Sequence, residues 1–166
     1  MKNLKTKDYV MAGLFIAIVT SLTYINLPIS PTGGLVHLGY VALFPIAIVF
    51  GPKYGAMAGA FGMALFDVLS QWFLWAPATF IIVGLVGYTV GLIANGGRNP
   101  LRNVIAMSVG SLISISGYFV FNAFIMNLGV PSALTSLGGD SFKVFASLLV
   151  ALAIIPGLIN VKKQMQ

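Results

Sequence analysis

The stretch LVHLGYVALFPIAIVFGPKYGAMAGAFGMALFDVLSQWFLWAPATFIIVGLVGYTVGLIA, residues 35–94, decides the fold. It holds three apolar runs, 35–50, 54–72 and 77–94. They are separated only by the tight turn Gly51-Pro52-Lys53 and by an aromatic corner, Trp72 to Trp75, that ends at Pro77. Glycine and proline punctuate the boundaries, where each disfavours continuation of a helix. Inside the runs the one charged residue is Asp67. Runs of this length and polarity belong in hydrocarbon, since about 20 residues of helix cross the core of a bilayer.

Outward from this stretch the same pattern recurs at 9–25, 104–127 and 141–160. The predicted fold is therefore all-α: one membrane domain over residues 1–166, with six transmembrane helices and short connections. The second span has the shortest clean core and is expected to be tilted or surrounded by its neighbours. Composition agrees. Of 166 residues 58% are apolar and 7% charged, against about 25% charged in a soluble domain, and the mean hydropathy is +0.99. The first run merges into a full span, so no cleavable signal peptide is expected.

The formal charge of +6 concerns topology and not nucleic acid, because the cations are dispersed at the ends of apolar runs. Lys2, Lys5 and Lys7, then Lys53, then Arg98 and Arg102, then Lys162 and Lys163 fall on alternate connections. These are eight of the nine cations, and the positive-inside rule places that side, with both termini, in the cytoplasm. The ninth, Lys143, stands at the start of the sixth run. The opposite side collects His37, Tyr40, Trp72, Trp75, Asn127 and Asp140. Its two tryptophans fit an interfacial aromatic belt, a reason that does not extend to the asparagine and histidine.

An ionisable side chain at mid-membrane costs roughly 2.5 to 3.5 kcal/mol on insertion scales and needs a partner or a purpose. Asp67, Asp140 and Lys143 are the groups concerned. Asp140 and Lys143 stand three apart, on one face if a single helix holds both. Two readings stand: a helix-start acid beside a snorkelling lysine, or a charge pair at the mouth of a cavity, ready for an anionic or carbonyl-bearing solute. Asp67 is either a staple hydrogen-bonded to a neighbouring helix or a ligand contact. In the fifth run Ser111, Ser114, Tyr118 and Asn122 form one helical stripe, as interhelical glue or as a pocket wall. Small residues repeat at Gly13/Ala17/Ser21, Gly55/Gly59 and Gly84, Gly87, Gly91. Spacing of this kind lets helices approach closely, within the chain or, for the first span, against another membrane subunit.

With no cysteine, one histidine and three acids, neither a metal site nor a cofactor is expected. GxxxxGK[ST], HExxH and GxSxG are absent, so the chain is not expected to be an enzyme.

The ordered elements of residues 33–93 resemble the substrate-binding S components of energy-coupling factor (ECF) vitamin transporters. They are an HLG start to the second span, FGPKYGAMAGAFG, the acid in the third span, and WAPATFIIVGLVG opening the fourth. The resemblance implies a subunit in a prokaryotic plasma membrane that captures a B-type vitamin or precursor outside. It also implies a transmembrane coupling subunit of the EcfT type and two ATPases of the EcfA type, which hydrolyse the ATP. On that footing the cargo pocket is expected in the outer half of the last three spans, formed by His37, Tyr40, Trp75, Thr79, Tyr118, Asn122, Asp140 and Lys143. Its cap is expected from Pro28–Val36 and the connections around Trp72 and Leu128. Gly13, Ala17 and Ser21 are the expected docking stripe. The expected cargo is small, flat and polar-edged: hydroxymethylpyrimidine or a pyridoxine-like compound, with pantothenate as the alternative and riboflavin and folate less favoured for size. A stand-alone six-span carrier and a purely structural membrane subunit are the rival classes.

Overall fold

The computed structural model describes residues 6–28 and 35–164. Lys2 and Lys5, and positions 29–34 of the expected cap, lie outside the described residues. The chain runs α1 (Thr6–Thr23), β1 (Asn26–Pro28), β2 (Leu35–His37), α2 (Gly39–Phe50), α3 (Pro52–Leu69), α4 (Ala76–Ala94), α5 (Pro100–Val120) and α6 (Gly129–Gln164). A π-helical turn, Phe121–Ile125, prolongs α5. Among the described residues three helices are long and apolar enough to cross a membrane: α4, α5 with its π turn, and α6.

The shortest helix is the central one. Tyr40, Leu43, Phe44, Ala47, Ile48 and Val49 of α2 are shielded on every side by α1, α3, α4 and α6. At about 1.5 Å per residue its 12 residues reach only about 18 Å, short of the roughly 30 Å hydrocarbon core. Its neighbours, not lipid, therefore solvate it.

Glycine explains how α3 and α4 approach so closely. A Cβ on Gly87 would strike the Gly55 carbonyl, and one on Gly59 would lie 2.5 Å from the Val83 oxygen. The two backbones touch, so no side chain fits between them. The small residues of α1 differ: Gly13, Ala17 and Ser21 are all exposed, and a Cβ on Gly13 would meet nothing within 4 Å.

Two differences from the expected layout stand out. Residues 35–37, expected to open the second span, form an antiparallel ribbon with 26–28, pairing Asn26 with His37 and Pro28 with Leu35. The expected connection 128–139 is helix, because α6 begins at Gly129 and continues for 36 residues. A reversal through Asn127 (φ 53°) and Gly129 (φ 78°) joins it to the π turn. Pro131 sits in the first turn, where its missing N–H breaks no helical bond. Ala133, Ser136, Asp140, Lys143, Ser147, Ala151 and Ile155 form one buried stripe along the whole helix. Burial of that stripe overrides the Gly138-Gly139 break. At about 54 Å, α6 is longer than the bilayer core is thick.

The basic connections share one end of the bundle. Lys162 donates to the Val49 carbonyl at the end of α2 (2.7 Å), Tyr54 donates to Asp8 (2.9 Å), and Arg102 donates to the Ile93 carbonyl.

Replacing Gly87 by valine is expected to force α3 and α4 apart. Overpacking of this kind destabilises by about 1–3 kcal/mol or more, and the melting temperature in detergent should fall by several degrees. Gly13→Ala, in open space, should leave it unchanged. Equal melting of Gly87→Val and the parent chain would contradict the backbone contact.

Candidate functional site

At the end of the bundle opposite the basic connections, a cavity of about 40 Å³ is lined by Leu35, His37, Asp67, Trp72, Trp75, Thr79, Tyr118, Asp140 and Lys143. Space of this size holds a few waters. Each wall has a local cause. The ribbon delivers His37, whose Nδ1 accepts from the Gly39 N–H at 3.1 Å. In the last turn of α3 the Asp67 carbonyl accepts from the Ser70 N–H (3.3 Å), which ends the helix and turns the chain into the tryptophan corner. Trp75 caps α4, and its carbonyl accepts from the Thr79 N–H (2.9 Å). Tyr118 stands just before the π turn, and α6 supplies Asp140 and Lys143.

Lys143 donates to Asp140 Oδ1 at 2.7 Å, with both side chains almost fully buried. Its ammonium also lies 5.6 Å from the ring centre of Tyr40 and 5.7 Å from that of Tyr118, two cation–π faces. Asp140 stands well inside α6 and not at its start, so the pair is a buried bridge and the helix-start reading falls.

A second chain of polar groups runs alongside. Tyr118 donates to Thr79 Oγ1 at 2.9 Å, and Thr79 lines the cavity together with Asp67. Asp67 Oδ2 has no partner. The corner is braced from behind, where Trp75 Nε1 donates to Asn122 Oδ1 at 2.8 Å. The Trp72 and Trp75 rings meet edge to face at 5.3 Å. His37 lies in the ribbon, outside the helical spans. Burial, and after it the nearby Lys143 ammonium, hold its pKa well below the usual range. The imidazole is neutral, with Nδ1 accepting and Nε2 carrying the hydrogen.

Of the residues expected from sequence, His37, Trp75, Thr79, Tyr118, Asp140 and Lys143 line the cavity. Tyr40 and Asn122 stand behind the lining. Tyr40 is stacked on His37 at 5.7 Å and bonded to Ser114 at 2.7 Å; Asn122 holds Trp75. Leu35 and Trp72, expected only within the capping segments, also line the cavity, as does Asp67, open between staple and contact.

Comparison with known proteins closes the question of family. The sequence model of the family described as ECF-type riboflavin transporter, S component, matches residues 3–161. The chain belongs to this family. S components are substrate-binding subunits of membrane transporters and not enzymes. An Uncharacterized protein in gap 3'region of Pyrococcus woesei is 30% identical over 102 residues, 61% of this chain and 68% of that protein. A UPF0397 protein of Exiguobacterium is 27% identical over 130 residues, 72% of this chain and 69% of that one. Another, of Streptococcus gordonii, is 28% identical over 154 residues, 87% of this S component and 77% of its relative.

Removing one partner of a buried ion pair strands the other and destabilises by about 3–5 kcal/mol. Lys143→Met and Asp140→Asn should therefore each lower the melting temperature of the S component sharply, whereas the double variant should recover most of the loss. Additive losses would show that the two groups are not coupled.

Proposed function

We propose that this S component captures a small, flat, polar-edged B-vitamin or precursor, of the size of hydroxymethylpyrimidine or pyridoxine, for ATP-driven uptake. The observation that carries the reading is the cavity itself. Three aromatic side chains, Trp72, Trp75 and Tyr118, surround a short set of polar groups in a largely apolar bundle. Aromatic faces stack on a flat ring, and convergent polar groups fix its edge. At about 40 Å³ the cavity is smaller than any of these cargoes, so each requires it to widen, riboflavin with its three fused rings most of all. Lys143, already held by Asp140, offers little to the carboxylate of pantothenate.

Six spans with cytoplasmic termini complete the reading: Lys7, Lys53, Arg98, Arg102, Lys162 and Lys163 flank the helix ends opposite the cavity, which then faces outward. α2 crosses within the shelter of the bundle, whereas α1 and α3 each keep an apolar face outward. Membership in the family implies partnership with EcfT and EcfA subunits, and ATP hydrolysis falls to the EcfA pair. The exposed Gly13, Ala17 and Ser21 give the coupling subunit a smooth face on which to dock.

Calorimetric titration of the purified protein tests the cargo. Hydroxymethylpyrimidine or pyridoxine should bind more tightly than riboflavin, and Trp75→Ala should weaken that binding about tenfold or more through the lost stacking face. Preference for riboflavin, or a Trp75→Ala variant with unchanged affinity, would overturn the reading. Docking is tested separately. Ala17→Leu should reduce co-purification of the coupling subunit while vitamin binding persists, and undiminished assembly would remove the stripe from the interface. In the same cells an impermeant maleimide should label Gln71→Cys and not Asn99→Cys; the reverse pattern would invert the orientation.

A further inference from the structure

We infer that the ligand-facing ionisable group of this pocket is Asp67 and not Lys143, so that the cargo presents an N–H donor, an exocyclic amine or a protonated ring nitrogen, and carries no carboxylate. The assignment rests on the pocket reading above and adds the polarity of the ligand to it.

Four titratable groups other than tyrosine hydroxyls converge here, and three are already committed. Lys143 is spent on Asp140 at 2.7 Å, with the rings of Tyr40 and Tyr118 over its remaining faces. The bridge is internally neutral and almost fully buried, so an incoming anion would have to break it. His37 is a neutral imidazole whose Nδ1 is occupied by the Gly39 N–H. Asp67 is different. It is 7% exposed, it lines the cavity, and its Oδ2 meets no donor. Beside it on the cavity wall, Thr79 accepts from Tyr118 at 2.9 Å.

A buried acceptor without a donor is a standing loss that a ligand N–H removes. A ligand carbonyl or carboxylate at the same place supplies no donor and leaves the oxygen unpaired. Sites built to hydrogen-bond one group reject the analogue that lacks it far more strongly than apolar walls reject a difference in size. Asp67 thus selects by donor, and the aromatic walls select by shape.

The test uses the full chain in detergent, titrated calorimetrically with 4-amino-5-hydroxymethyl-2-methylpyrimidine, its 4-oxo counterpart and pantothenate. The parent chain should bind the amino compound at least about tenfold more tightly than the oxo compound, and pantothenate more weakly still. Asp67→Asn, which keeps the shape but offers a weaker acceptor, should lose about tenfold or more for the amino compound and narrow the amino-to-oxo ratio. Equal binding of amino and oxo compounds by the parent chain, tightest binding of pantothenate, or parental affinity in Asp67→Asn would each overturn the assignment while leaving the pocket in place. Failure of all three compounds to bind would overturn the pocket reading and this assignment with it. If Asp67→Asn does not fold, the amino-to-oxo ratio of the parent chain decides alone.

Discussion

Where α3 meets α4, Gly55 and Gly87 bring two main chains into direct contact, and Gly59 repeats the approach one turn on against Val83. Nothing flexible lies between the helices at that level, so their relative placement is set by backbone and not by side-chain choice. Further along the same pair, that placement brings Asp67 on α3 and Thr79 on α4 to one cavity wall. The tryptophan corner spans the short gap between the helix ends. The cavity thus inherits its rigidity on this side from glycines more than two helical turns away, while its other wall depends on the reversal that starts α6 at Gly129.

Polar groups in this apolar bundle fall into two kinds. Lys143 and Asp140 satisfy each other, Tyr40 pairs with Ser114, and Trp75 donates to Asn122, whose own Nδ2 meets no acceptor. The last two bonds tie α2 and the start of α4 to α5 and its π turn. Asp67 lines the cavity, and its Oδ2 meets no donor. Completed hydrogen bonds give a site its shape; an incomplete one gives it a preference.

The helices were legible because glycine, proline and the cations mark their ends. The polar stripe Ser114, Tyr118 and Asn122 was legible because 3.6-residue periodicity survives in hydrocarbon, and all three do reach the site or its supports. The ribbon was not, because three-residue strands carry no period of their own and Leu35 to His37 read as the start of an apolar run. The first turns of α6 were obscured by Pro131 and the Gly138-Gly139 pair, although Ala133, Ser136 and Asp140 already carried the stripe that buries them. Local propensity argued for a loop there, and packing prevailed. The π turn that precedes it has no residue signature. Asp67 was visible as an expensive charge, but whether its second oxygen had a partner is a matter of three dimensions.

The central claim is that the cavity at the end opposite the basic connections holds a small, single-ring heterocycle, and mass spectrometry tests it most directly. Protein purified from cells grown in rich medium and denatured should release one compound in about equimolar amount, with the mass of a single-ring vitamin or precursor. Release of riboflavin, or of no small molecule at all, would contradict the account.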